Sequence, residues 1–120
     1  GSRQAGSMPR DLTDWELAVV RALAAVDGPG MAQAREAIDH LVVTGECGCG
    51  CGSFSLQDRR HPAGAHELRH VANGVSSDVG FAFFLGADGI PAAVDVLLPD
   101  DRPLAERGLP RPEDIEVSPD

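Results

Sequence analysis

The sequence predicts an α+β domain: an N-terminal αα-hairpin packed on one face of an antiparallel β-meander of about four strands, followed by an extended proline-rich tail. Three observations predict it. Residues 13–41 carry helical periodicity, broken once by Gly28-Pro29-Gly30. Residues 42–98 change to apolar runs separated by turn residues. Beyond Pro99, prolines and charges crowd the chain and neither period persists.

The first helix opens at Thr13-Asp14-Trp15-Glu16, which has the spacing of a capping box: the hydroxyl accepts from the Glu16 amide while the carboxylate reaches back. It runs to Val26 with Trp15, Val19, Ala22, Leu23 and Val26 on one face. Asp27-Gly28-Pro29-Gly30 stops it, because glycine takes the left-handed cap and proline blocks continuation. The second helix spans Met31 to Leu41, with Met31, Ala34, Ile38 and Leu41 facing inward. Val42 to Leu56 reads as one strand with a glycine-rich middle, and Gln57 to Gly64 as a polar loop. Glu67 to Asn73 leans towards strand. Asn73-Gly74 and Ser76-Ser77-Asp78 supply turn chemistry. Val79–Leu85 and Ile90–Leu98 form a hairpin through Gly86-Ala87-Asp88-Gly89. In the tail, Leu104, Leu109 and Ile115 are the residues expected to pin it to the body.

This organisation divides the chain into residues 1–10, a tag remnant and flexible N-terminus; 11–98, one α+β domain; and 99–120, a tail packed partly on that domain. The length suits one buried core and is short for two. Gly1 to Ser7 lacks the apolar segment of a signal peptide, and no apolar run reaches membrane-spanning length. The expected compartment is the cytoplasm, where thiols stay reduced.

Composition narrows the function classes. Formal charge is −9, with 19 acidic residues against 10 basic ones, all of them arginine. An acidic chain repels phosphate backbones, and aromatics at 4% leave little for base stacking, so nucleic acid is not an expected partner. A basic protein partner is the better electrostatic match.

Two constellations carry chemistry. Cys47, Cys49 and Cys51 alternate with Gly48, Gly50 and Gly52. On an extended strand, alternate side chains share a face roughly 6.6 Å apart. Thiolates sharing one zinc must approach within about 4 Å, given Zn–S bonds of ~2.3 Å. Extended cysteines therefore pack as small hydrophobes. If the glycines curl the backbone, the three become candidate zinc ligands, with His40, His66 or His70 as a fourth, or reactive thiols. The second constellation, His66-Glu67-Leu68-Arg69-His70, matches H-E-x-x-H. Zinc hydrolysis through it requires a helix, with the two histidines one turn apart and the glutamate as general base. On a strand those histidines stand roughly 13 Å apart. Arg69 and the flanking Pro62, Gly64, Asn73 and Gly74 disfavour the helix, no third histidine follows at the spacing of the extended motif, and Asp95 or Glu106 would have to supply the third ligand. No G-x-S-x-G elbow, P-loop or dinucleotide fingerprint is present.

Taken together, the αα-hairpin, the GECGCGCGSFSL segment, the apolar strand with its DG turn, the closing V-D-V strand and the final LPRPED resemble uncharacterised small actinobacterial proteins. Those carry a central C-x-C-G-C-[P/G]-[ST] strand. The likeness covers most of Asp11 to Glu116, and Gly52 stands where proline is often found. The resemblance implies no activity. The expectation is therefore a non-enzymatic domain that binds a protein partner, with no catalytic residue and no cofactor. The alternatives are a metal or redox protein through Cys47, Cys49 and Cys51, and then a zinc hydrolase.

Overall fold

Thr13 begins the first helix as the spacing requires. Its hydroxyl accepts from the Glu16 amide at 3.1 Å, and the Glu16 carboxylate accepts from the Thr13 amide at 2.8 Å. The computed structural model describes residues 9–46, 52–60 and 67–119. Within them α1 spans Asp14–Ala24, and Gly30 at φ +82° leads into α2, Met31–Ala37. A 3₁₀ turn over Ile38–His40 then delivers the chain to strand. Both helices end short of the positions periodicity alone suggests. Where β-branched Val42 and Val43 follow, extended backbone takes over at Leu41.

Seven strands form one antiparallel sheet: β1 (Arg10–Asp11), β2 (Leu41–Glu46), β3 (Phe54–Asp58), β4 (Leu68–Ser76), β5 (Val79–Gly86), β6 (Pro91–Leu97) and β7 (Glu116–Pro119). Their order is β1-β2-β3-β6-β5-β4-β7. The α+β class holds, but the sheet is larger than a four-stranded meander. Three differences account for this. Val42 to Leu56 is not one strand: β2 and β3 are antiparallel neighbours, with Glu46 opposite Phe54. Arg10 belongs to the sheet rather than to a flexible end, pairing opposite Val43. The tail holds a helical turn, α3 (Leu104–Arg107), a 3₁₀ turn at Pro112–Asp114, and then β7, which pairs with β4.

The core lies between the helices and one sheet face. Val19, Val20, Leu23, Met31, Ala34 and Ile38 pack against Val43, Phe54, Leu56, Phe81, Phe83, Leu85, Val94 and Val96. The tail closes the same side. Leu104 and Ile115 are buried as expected, and Trp15 donates its indole N–H to the Pro110 carbonyl at 2.7 Å. Leu109 does not pin the tail; it is 53% exposed. Asn73-Gly74 is not a turn but continues β4. A Cβ on Gly74 would lie 2.7 Å from Ile115 Cγ2 and 3.0 Å from Leu23 Cδ2, so the glycine admits α1 and the tail onto the sheet. The reversal sits one turn later, at Ser77-Asp78, with Ser77 at φ 54°. Between β3 and β6 the pairing is brief, Phe54 opposite Val94 and Ser55 opposite Ala93. The Ser53 hydroxyl extends this seam by accepting from the Val96 amide at 2.8 Å.

Candidate functional site

The sequence-derived candidates separate in the fold. Cys47, Cys49 and Cys51 fall between β2 and β3 and His66 between β3 and β4, all outside the described residues. His40 closes the 3₁₀ turn before β2, while His70 lies on β4, with β3, β6 and β5 between. At ~4.8 Å per strand, His40 and His70 stand on the order of 20 Å apart and cannot share an ion. Leu68, Arg69 and His70 are strand residues in register with Gly86, Leu85 and Phe84. Leu68 to His70 of the H-E-x-x-H stretch are thus strand, as the sequence leaned, with Glu67 just before it. Asp95 points from β6 to solvent and Glu106 sits in α3. Among the described residues, no three His, Cys, Asp or Glu side chains gather into a metal site.

Groups whose acidity is displaced serve the architecture. Burial pushes the Glu16 carboxyl up. The bidentate Arg10 guanidinium, at 2.8 Å to each oxygen, and the Thr13 amide outweigh it and hold Glu16 below its ordinary value of 4.5. Arg10 also reaches Glu46 at 2.7 Å, tying β1, α1 and β2 together. In the tail, the Arg107 guanidinium and the Arg102 amide hold Asp100 below the usual carboxylate range. The Arg107 side chain is itself nearly buried and also meets Asp78 in the β4–β5 turn. Asp58 is buried at the end of β3, where it accepts from the Arg60 amide and guanidinium. These carboxylates already have fixed partners within the fold, which is the signature of structural ion pairs.

The other sheet face has a different character. Side chains alternate across a strand, so the partners of core positions define it. On β5 and β6, Phe81, Phe83, Val94 and Val96 face the helices, while Gly80, Ala82, Phe84, Ala93, Asp95 and Leu97 face away. Among the described elements, no helix lies over these positions. One row crosses four strands, Glu116-Val75-Gly80-Leu97, and Val75 is 44% and Leu97 58% exposed. Leu97 leans over Gly80, its Cβ 3.5 Å from where a glycine Cβ would stand. The next row carries Ser118, Asn73, Ala82 and Asp95. A third pairs His70 with Phe84, ring centroids 5.2 Å apart. Charged strand positions on this face are acidic, namely Asp11, Asp95 and Glu116, with Asp11 paired to Arg59 from the end of β3 at 3.3 Å. The surface is broad, shallow and partly apolar, with negative charge and no nucleophile–base pair among these strand positions.

No family model, curated protein or solved structure matches the chain. The open face escaped sequence reasoning, although the signal was there: Ala93, Asp95 and Leu97 alternate with Val94 and Val96. The corresponding signal in Val79 to Leu85 is hidden because both faces are apolar.

Proposed function

We propose that this protein is a non-enzymatic domain that binds a protein partner through the open face of its sheet, and that the partner presents apolar side chains ringed by basic ones. The observation that carries the reading is the row Val75-Gly80-Leu97 lying exposed between Asp95 and Glu116. Apolar residues aligned over neighbouring strands offer a flat contact area, and glycine and alanine beside them let a partner's backbone come close. The carboxylates add steering for a cationic partner, consistent with a chain of net charge −9. The same negative charge on every copy disfavours pairing of this face with itself. The structural use of the described displaced carboxylates supports a binding rather than a catalytic role.

The test is co-purification from the source cell at low salt, comparing the wild type with Leu97→Glu and Asp95→Arg. A stoichiometric basic protein should accompany the wild type, weaken with salt, and be lost from both variants. Hydrogen exchange should then show protection on β4, β5 and β6. A wild-type protein that emerges alone, or a partner retained equally by both variants, overturns the proposal.

A further inference from the structure

We propose that the cleft between the Asp27–Met31 turn and the start of β4 binds a small zwitterion, one ammonium and one carboxylate on an apolar body. This site lies beside the open sheet face and shares only His70 with it. The cleft has a volume of about 240 Å³ and is bordered by Asp27, Pro29, Met31, Arg69, Val71 and Pro119. That is below the ~300 Å³ lower end for drug-sized ligands and suits a molecule of amino-acid size.

Charge carries the argument. Every other described arginine is engaged: Arg10, Arg21, Arg59, Arg60, Arg102, Arg107 and Arg111 pair with carboxylates, and Arg35 donates to the Ala24 carbonyl. Arg69 has no ion pair or side-chain hydrogen bond among the described residues, in a chain where acids outnumber bases 19 to 10. Asp27, on the same cleft, is likewise without a partner among them, so the two opposite charges border one cavity without meeting each other. Arg69 stands on β4 opposite Leu85, and its Nη2 lies 3.5 Å from where a Cβ on Gly30 would be. Gly30 leaves that approach open. Pro29, Met31, Val71 and Pro119 give the cleft apolar walls. His70 also borders it, with its ring held against Phe84 and 3.1 Å from the Ala72 carbonyl oxygen.

A lone anion would meet Arg69 but also Asp27, and a lone cation the reverse. A ligand bearing both charges satisfies both, while its hydrocarbon part takes the apolar wall. Free α-amino acids and ω-amino acids share this chemistry, and titration separates them. Amide spectra of the ¹⁵N-labelled full chain should be followed with L-leucine, 6-aminohexanoate, isovalerate and isopentylamine. One of the two zwitterions should shift Gly28, Gly30, Arg69 and Val71 saturably, binding about fivefold more tightly than either singly charged compound. Arg69→Gln and Asp27→Asn, both at exposed positions, should each abolish that preference while keeping a dispersed native spectrum. The inference is overturned if neither zwitterion saturates by about 50 mM, a very weak affinity. It is also overturned if isovalerate or isopentylamine binds equally well, or if both variants keep the preference.

Discussion

Replacing Gly74 with alanine tests how the sheet, α1 and the tail are fitted together. The new methyl would lie 2.7 Å from Ile115 Cγ2 and 3.0 Å from Leu23 Cδ2, where ordinary carbon contacts are about 3.5–4.0 Å. Both neighbours are buried on different elements, so relief requires α1 or the tail to shift. Overpacking of this kind costs about 1–3 kcal/mol. Replacing glycine within a strand returns about 0.5–1 kcal/mol of backbone entropy. The difference spans about 0–2.5 kcal/mol; because the methyl meets two buried carbons on separate elements at once, the expected net loss is about 1–2 kcal/mol, a drop in Tm of about 4 °C per kcal/mol for a chain of this size. Urea unfolding can be followed by Trp15, the one tryptophan, which packs 6.4 Å from Phe81. Ile115→Ala alone should cost about 2–4 kcal/mol. Combined with Gly74→Ala, the total should fall short of the sum by about 1 kcal/mol, because the cavity accepts the methyl. Gly45→Ala, whose methyl would meet only Ser55 at 3.9 Å, serves as the control without a clash and should gain about 0.5–1 kcal/mol. A Gly74→Ala protein within about 0.5 kcal/mol of wild type, or a fully additive pair, would refute the packing described for β4.

Three further outcomes are expected. Glu16 has a depressed folded pKa, so its stabilisation is complete above its ordinary value of 4.5 and is lost as pH falls through the lower folded value. Glu16→Gln should therefore cost about 1–2 kcal/mol at neutral pH, softened by the partly exposed Arg10, and flatten the acid limb of stability; an unchanged urea midpoint-against-pH slope would count against this. Gly52 sits at φ +94° with Leu104 Cδ2 only 2.5 Å from a Cβ position, so Gly52→Ala should cost about 2 kcal/mol and Gly52→Pro about 3 kcal/mol or more in thermal melts; equal stability of both variants with the wild type would count against this backbone conformation. Leu97→Gln and Val75→Thr, which add no charge beside Asp95 or opposite Glu116, should leave stability within about 0.5 kcal/mol by urea titration, and a larger loss would mean that their face is covered in the folded chain.

The parts legible in the sequence are those where one local signal decides. The Thr13 capping box and the Gly-Pro-Gly break place the helical hairpin, and the Asp88-Gly89 turn places β5 against β6. The parts that were not legible depend on remote partners. Two residues, Arg10 and Asp11, carry no period of their own and become a strand only because β2 offers an edge. The four residues of β7 end in a proline and follow a stretch with no strand pattern, yet β4 accepts them. Gly74 illustrates the ambiguity most directly: beside Asn73 it has the chemistry of a turn, and it is used instead for close approach. The alternating cysteines and glycines have strand period, which hid the division into β2 and β3. Among functional features, Asp27 and Arg69 are far apart in sequence, and only the topology brings them to one cleft.

The brief pairing of Phe54 and Ser55 with Val94 and Ala93 has a mechanical consequence. The β2–β3 hairpin and the β4–β5–β6 meander each close through local contacts, whereas their junction joins residues about forty positions apart and owns few backbone bonds. The ladder is therefore expected to close as two separately zippered halves joined at this seam. In mild denaturant, amide exchange along the β3–β6 junction should outpace that inside the β4–β5–β6 meander, baring edges that can pair with the wrong chain.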